Sequence, residues 1–281
     1  MDTLHMELQV IGKLRLALSP FEPQWANVPL YLTARGLTTT PMSSSGVIFE
    51  VDVDLIKHQV AIRTTTGDVE RIPLMPRPVA AFYREFVTAL RRLGISVEIS
   101  RLPSEVSNPI PFDEDETHSA YDPVWTTRFF QVLSGIDLVL KDFRARFRGK
   151  TSLVNFFWGT FDLALTRYSG RAVEPPANAG IIRRLSGDAE VICVGFWPGN
   201  ARLPVPAFYG YAYPSPAGLE AERLQPAAAH WDPSAGEFIL PYDDVRGESS
   251  PRQAILEFCE SLYVAGARLA RWDPSLVIQP T

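Results

Sequence analysis

The sequence predicts an α+β protein built from two similar halves, each with antiparallel strands between two helices. Three observations support this class. Short segments recur in the same order in both halves, apolar residues alternate as in strands, and three longer segments have apolar residues at helical spacing. The 281 residues are enough for one large domain or two ordinary ones. One continuous sheet and two facing sheets are both compatible with the pattern.

The recurrence predicts an internal duplication with approximate two-fold symmetry. Its segments pair as residues 12–19 with 159–166, 28–32 with 205–209, 60–62 with 238–240, and 85–90 with 257–262. Each repeat would consist of a helix, a four-stranded antiparallel meander and a closing helix. We therefore expect a first repeat over 1–102, a connector over 103–121, and a second repeat over 122–281 with an insertion at about 167–204. Fusion of both repeats into one domain stays open.

The strands of the first repeat follow from alternation. Val47, Phe49, Val51 and Val53 alternate with mostly polar residues, which is typical of a strand with one buried face. Residues 55–58 would turn the chain into a second strand over 59–64. A further turn at 66–68 would complete the meander.

The helices follow from apolar residues three and four positions apart. One is expected from Pro78 to Gly94, because proline favours the first turn and glycine favours the end of a helix. A second begins at Pro251, with Ser250 as the expected cap. The longest opens at Asp122 and runs to Gly149, with an apolar stripe that starts at Trp125.

Composition excludes several classes of function. Lys and Arg number 27 against 32 Asp and Glu, so the net charge of -5 provides no basic field for nucleic acid or anionic lipid. The N-terminus has no apolar leader, and Cys193 and Cys259 are too few for a disulfide framework. We expect a cytoplasmic protein that binds neither nucleic acid nor membranes.

The connector carries three candidate catalytic residues: Asp113, Asp115 and His118. Carboxylates beside an imidazole suit acid–base catalysis or binding of Mg²⁺ or Mn²⁺, so a divalent metal stays open as a cofactor. A solvated acidic linker is the alternative, although the apolar Ile110 and Phe112 would be unusual in one. The sequence contains no motif for nucleotide binding, serine hydrolase elbows or zinc proteases.

The second half supplies the other candidates, because features found in only one repeat are better candidates for function. Glu190 is a fourth catalytic candidate. The predicted ligand-binding residues are two arginines to anchor an anion, two tryptophans to line a pocket, and one asparagine: Arg35, Arg167, Trp158, Trp197 and Asn155. The alternative is that the aromatic residues form the ordinary core of a twisted sheet.

Five motifs together resemble a bacterial family known as a domain of unknown function. They are Gly-Lys-x-Arg-Leu-Ala-Leu-Ser from Gly12, Ala-Arg-Gly-Leu-Thr-Thr from Ala34, Ile-Pro-Phe-Asp from Ile110, Phe-Phe-Trp-Gly from Phe156, and Gly-Phe-Trp-Pro-Gly from Gly195. The resemblance implies no reaction, cofactor or partner. Members of that family often carry histidine at the position of Asn155, and Ser-His before the glutamate that corresponds to Glu190. The resemblance thus implies that an activity depending on the histidines at those two positions is not expected here, whereas Glu190 remains.

The function predicted from these observations is binding of a small anionic molecule with an apolar portion, with an enzyme as the favoured class. The alternative is a non-catalytic interaction or dimerisation module, in which the aromatic strands and acidic connector bind a protein partner or a second copy of the chain.

Overall fold

The computed structural model describes residues 1–199 and 204–277. These residues form six α-helices and two antiparallel sheets of six strands each, which confirms the predicted α+β class. The duplication stays a prediction. Residues 200–203 of the expected insertion, and residues 278–281 of the expected second repeat, lie outside the described residues. Within the described ranges no helix is long and apolar enough to cross a membrane.

The elements alternate between helices and groups of strands along the chain. The helices are α1 Asp2–Leu18, α2 Val79–Arg92, α3 Pro123–Ala145, α4 Ile181–Ser186, α5 Tyr242–Arg246 and α6 Pro251–Leu269. The strands of the first sheet are β1 Tyr31–Thr33, β2 Gly36–Thr38, β3 Met42–Ser44, β4 Val47–Asp54, β5 Gln59–Thr64 and β6 Val69–Pro73. The strands of the second sheet are β7 Asn155–Phe157, β8 Asp162–Ala172, β9 Ala189–Trp197, β10 Ala207–Tyr213, β11 His230–Asp232 and β12 Glu237–Pro241.

The chain divides into two compact units. The first consists of Met1–Ser134 with Phe156–Phe161, and the second of Gly135–Asn155 with Asp162–Thr281. The division falls inside α3, and the connector over 103–121 belongs wholly to the first unit. Each unit is therefore assembled from segments that are discontinuous in sequence.

The first unit is organised around its meander. The first sheet has the order β1-β2-β4-β5-β6, with β3 also paired to β4. Val51 pairs with Ile62 and Val53 with Val60, so the buried faces of the two predicted strands coincide. The predicted strands over 47–54 and 59–64 are thus confirmed as β4 and β5.

The second unit packs its sheet against α6. The order of this sheet is β11-β12-β10-β9-β8-β7. Gly210 of β10 has no side chain where Leu262 of α6 packs, and Gly266 of α6 similarly makes room for Ile192 of β9. A larger residue at either glycine would push the helix away from the sheet.

One of the recurring pairs does not have the same structure in both halves. Residues 12–19 lie mostly in α1, whereas most of residues 159–166 lie in β8. The Leu-Ala-Leu core fits both because Leu16, Ala17 and Leu18 suit the last turn of a helix, while Leu163 and Leu165 alternate with Ala164 along a strand. This pair therefore does not support the duplication.

Three details of the helices differ from the prediction: the end of α3, the exposure of Trp125 and the cap of α6. The helix α3 stops at Ala145 rather than Gly149. Its cap is Asp122, whose Oδ1 accepts from the backbone N–H groups of Val124 and Trp125 at 2.9 and 3.1 Å. Trp125 is 59% exposed and so does not belong to the buried stripe. At the start of α6, Ser250 makes no side-chain capping hydrogen bond.

Candidate active site in the first unit

Asp115 and His118 form a carboxylate–imidazole pair within the connector. His118 Nδ1 donates to Asp115 Oδ2 at 2.7 Å, and Asp115 Oδ1 accepts from the backbone N–H groups of Thr117 and His118 at 3.1 and 3.0 Å. The side chain of Asp115 is 1% exposed and that of His118 is 28% exposed. The carboxylate thus holds the proton of the neutral imidazole on Nδ1. His118 Nε2 makes no hydrogen bond with the other described residues.

The loop that carries this pair is fixed at the start of α2. The backbone N–H of Val79 donates to the His118 carbonyl at 3.0 Å, and that of Ala80 to the Asp115 carbonyl at 3.1 Å. The first N–H groups of a helix have no acceptor within the helix, so the loop satisfies two of them. Phe112 is fully buried against Tyr83 at the other end of the loop. Residues 112–118 are consequently an integral part of the unit and not a solvated linker.

A second imidazole, that of His5 on α1, lies close enough to His118 for their charges to interact. His5 Nε2 lies 3.0 Å from the carbonyl oxygens of both Trp158 and Gly159, so it carries the proton and donates. Burial lowers the pKa of His5, and the nearby His118 charge lowers it as well. His5 is therefore neutral at pH 7, with the opposite tautomer to His118.

Glu7, two residues further along α1, is a fully buried carboxyl group. Neither of its oxygens has a hydrogen-bond partner among the described residues. Burial raises the pKa of Glu7 to about 8, against an opposing attraction from Arg77. At neutral pH the group is therefore mostly a protonated acid, which can donate a hydrogen bond.

Tyr121, at the end of the connector, extends this polar region. Its hydroxyl lies 2.9 Å from His58 Nδ1, at the turn between β4 and β5. Burial, with a smaller contribution from the charge of Glu7, raises the pKa of Tyr121 to about 12. The phenol is thus protonated over the whole physiological range.

The remaining predicted acids are both engaged in ion pairs. Asp113 Oδ2 lies 2.6 Å from Arg101 Nη1, and Glu190 Oε2 lies 2.6 Å from Arg171 Nε. Glu190 belongs to the second unit, whereas Asp113 shares the connector with Asp115. Of the four predicted catalytic residues, only Asp115 and His118 contact each other directly.

The two arginines predicted to anchor an anion are also engaged. Arg35 makes a bidentate pair with Asp54 in the first unit, at 2.8 and 3.1 Å. Arg167 in the second unit is fully buried, with its guanidinium 3.4 Å from the ring centre of Phe143 and 3.7 Å from Glu260 Oε2. Both guanidinium groups therefore already have a partner for their charge.

The predicted pocket residues are mostly packed into the structure. Trp158 is buried, donates its indole N–H to the Val28 carbonyl at 2.9 Å, and packs against Gly12, where a side chain would clash. Trp197 is half-buried in the second unit and stacks on Tyr209 at 4.4 Å. Asn155 of β7 is buried as well.

A groove of about 320 Å³ is present in the first unit, and none of the predicted site residues lines it. Its lining consists of Leu18, Ser19, Pro20, Pro41, Met42, Ser43 and Ile48. In the described part of the chain, no three His, Cys, Asp or Glu side chains are grouped as ligands for a metal ion.

Sequence reasoning missed His5 and Glu7. The signal was present, because α1 is apolar on almost every side and a polar residue within such a helix requires an explanation. His5, Glu7, Gln9 and Lys13 all interrupt an otherwise apolar segment. The hydrogen-bond partners of His5, Gln9 and Lys13 come from residues about 90 to 150 positions away, which spacing along the chain does not reveal.

The fold and this cluster define an α+β protein of two units, with a carboxylate-oriented histidine in the first. The chain matches the family of unknown function DUF5996 over residues 1–278 and belongs to that family. No curated protein and no solved structure matches it.

Proposed function

We propose that this protein is an enzyme that acts on a small molecule, with His118 as the general acid–base and Asp115 as the residue that orients it. One observation supports the proposal above all. The 2.7 Å hydrogen bond from His118 Nδ1 to the buried Asp115 carboxylate leaves Nε2 without a partner among the described residues, on a side chain that is 28% exposed.

This arrangement suits proton transfer for two reasons. Neutral imidazole accepts a substrate proton at Nε2. The imidazolium that forms is stabilised by the negative charge of Asp115, and it can return the proton to a leaving group. Asp115 does not need to exchange protons in this scheme.

Three other ionisable groups of the first unit add no full charge at neutral pH. His5 is neutral, the phenol of Tyr121 is protonated, and Glu7 is mostly protonated at neutral pH. Because Arg35 and Arg167 are both engaged, the proposal does not depend on an anionic ligand. It includes a cytoplasmic location, which the two free, buried cysteines Cys193 and Cys259 support.

A ligand screen followed by turnover measurements tests this function. Small metabolites are screened for those that raise the melting temperature, since a ligand of the native state stabilises it by mass action. Each binder is then followed by NMR for chemical conversion. We expect at least one to be converted, and His118→Asn to slow conversion by about 10² to 10⁴ while the binder still stabilises the variant.

The matched control is His230→Asn, which removes an exposed histidine of the second unit. It should leave conversion unchanged. Binders that are never converted, or that are converted equally by His118→Asn, would exclude His118 as the acid–base residue.

A further inference from the structure

Lys13 and Ser104 form a second pair of reactive groups in the first unit. Lys13 Nζ lies 2.6 Å from Ser104 Oγ. A primary amine within hydrogen-bond distance of a serine hydroxyl is the arrangement by which serine–lysine enzymes activate their nucleophile. Neither residue was predicted from the sequence, because Ser104 lies 91 positions from Lys13 in an irregular segment.

Two hydrogen bonds between the side chain of Gln9 and the backbone of Ser104 hold Ser104 in place. The side-chain amide of Gln9 donates from Nε2 to the Ser104 carbonyl at 2.8 Å, and Gln9 Oε1 accepts from the Ser104 N–H at 2.8 Å. His5, Gln9 and Lys13 are four residues apart, so they share one face of α1. This face carries the amine and, through Gln9, positions the segment with the nucleophile against the helix.

The surroundings of Lys13 favour the neutral amine that a base requires. Lys13 is buried, and its Nζ lies 5.6 Å from the ring centre of Trp158. Burial lowers the pKa of Lys13, and the charge of Glu105 opposes this by raising it. Ser104 is only half-buried, so a substrate can approach its hydroxyl.

We propose that Ser104 is a nucleophile activated by Lys13, and that this pair acts on acyl compounds such as esters or amides. The proposal goes beyond the role given to His118 and does not depend on it, since a different pair of side chains supports it.

The chemistry balances with water as the only co-reactant. The neutral Lys13 amine takes the hydroxyl proton while Ser104 Oγ bonds to the acyl carbon. Collapse of the tetrahedral intermediate breaks the bond to the leaving group, which takes the proton from Lys13. Water, deprotonated by the same amine, then attacks the acyl-serine, and the carboxylic acid is released as the hydroxyl regains its proton.

A phosphonyl fluoride probe tests the proposal directly, because it reacts with activated serines and releases fluoride. The full chain is incubated with the probe, its intact mass is measured, and the modified peptide is sequenced by mass spectrometry. We expect one adduct per chain, on Ser104. Because the mapping uses the unmutated protein, it does not depend on whether a variant folds.

Variants then test the role of Lys13. Lys13→Arg keeps the hydrogen-bonding capacity but stays protonated and cannot act as a base at neutral pH, so labelling should slow at least ten-fold. Ser107→Ala, an exposed serine of the same segment, is the control and should be labelled at the full rate. His118→Asn should also be labelled normally, which separates this proposal from the function proposed above. Absence of an adduct on Ser104, or equal labelling of folded Lys13→Arg, would overturn the proposal.

Discussion

Both units bury ionisable side chains, but the interactions that offset the cost of this burial differ between the units. In the second unit the fully buried Arg167 is opposed by the charge of Glu260, faced by the ring of Phe143 and hydrogen-bonded to the Phe143 carbonyl. In the first unit Glu7 has no hydrogen-bond partner among the described residues, and His118 keeps one ring nitrogen free. The charge of Arg167 is thus engaged by groups of its own unit, whereas His118 of the first unit retains a ring nitrogen that no described residue occupies.

The difference shows that residue type alone is a poor guide to a site. Arg167 and His118 were both candidates in the sequence, Arg167 for ligand binding and His118 for catalysis. Burial and partners separate them, because a charge that is already neutralised by its neighbours has little left to offer a ligand.

The largest effect that would test this comparison is the pH dependence of stability that Glu7 causes. Its pKa is about 8 in the folded protein against the ordinary 4.5, so between these pH values only the folded state holds the proton. Stability is therefore greatest below pH 4.5 as far as this group is concerned. It falls as pH rises, by about 1.4 kcal/mol per pH unit and about 5 kcal/mol in all. Urea unfolding from pH 5 to 9 measures this slope.

Glu7→Gln should remove most of that slope and should be more stable than the unmutated protein at pH 9. The control Glu114→Gln, an exposed acid of the same unit, should keep the slope. An unchanged slope in Glu7→Gln would show that Glu7 is ionised in the folded protein at neutral pH.

The second largest effect is expected at Arg167. Arg167→Met leaves Glu260 without its main positive neighbour, and such a loss at a buried pair costs about 3 kcal/mol. Urea unfolding at pH 7 measures it. The double variant Arg167→Met with Glu260→Gln should recover part of the loss, because no uncompensated charge remains. A loss below about 1 kcal/mol in the single variant would mean that the rings, and not the ion pair, support this region.

A smaller but more specific effect concerns the two histidines of the first unit. His118 should be the tautomer with the proton on Nδ1, and His5 the one with the proton on Nε2. Long-range ¹H–¹⁵N NMR at pH 8 distinguishes these forms. In Asp115→Asn the His118 signal should move toward the Nε2–H form, while His5 should not change. The same tautomer for both rings would remove the geometric basis of the proposed acid–base role.

The smallest effects are expected at two helix starts. Asp122→Ala should cost about 1 kcal/mol because it removes a cap that accepts two backbone hydrogen bonds. Ser250→Ala should change stability by less than about 0.5 kcal/mol, since Ser250 makes no such bond. Thermal unfolding of both variants measures this difference, and equal losses would contradict it.

Much of the fold could be predicted because local patterns determine it. Alternation identified β4 and β5, and helical spacing identified α2, α3 and α6. The position of residues 159–166 in a strand could not be predicted from Leu-Ala-Leu, which suits a helix equally well. The approach of His118 to His5, or of Ser104 to Lys13, depends on contacts between distant residues, and these have no local signature in the sequence.

The connector is hydrogen-bonded to the start of α2. Binding of a ligand at the site can therefore change how readily the first turn of that helix opens. The backbone N–H groups of Val79 and Ala80 donate to the carbonyls of His118 and Asp115, respectively. A ligand that moves this loop away from α2 would therefore expose these two protons to solvent, while one that tightens the loop would shield them. Their hydrogen-exchange rates would thus report binding from within the backbone, even for a ligand that leaves the rest of the molecule unchanged.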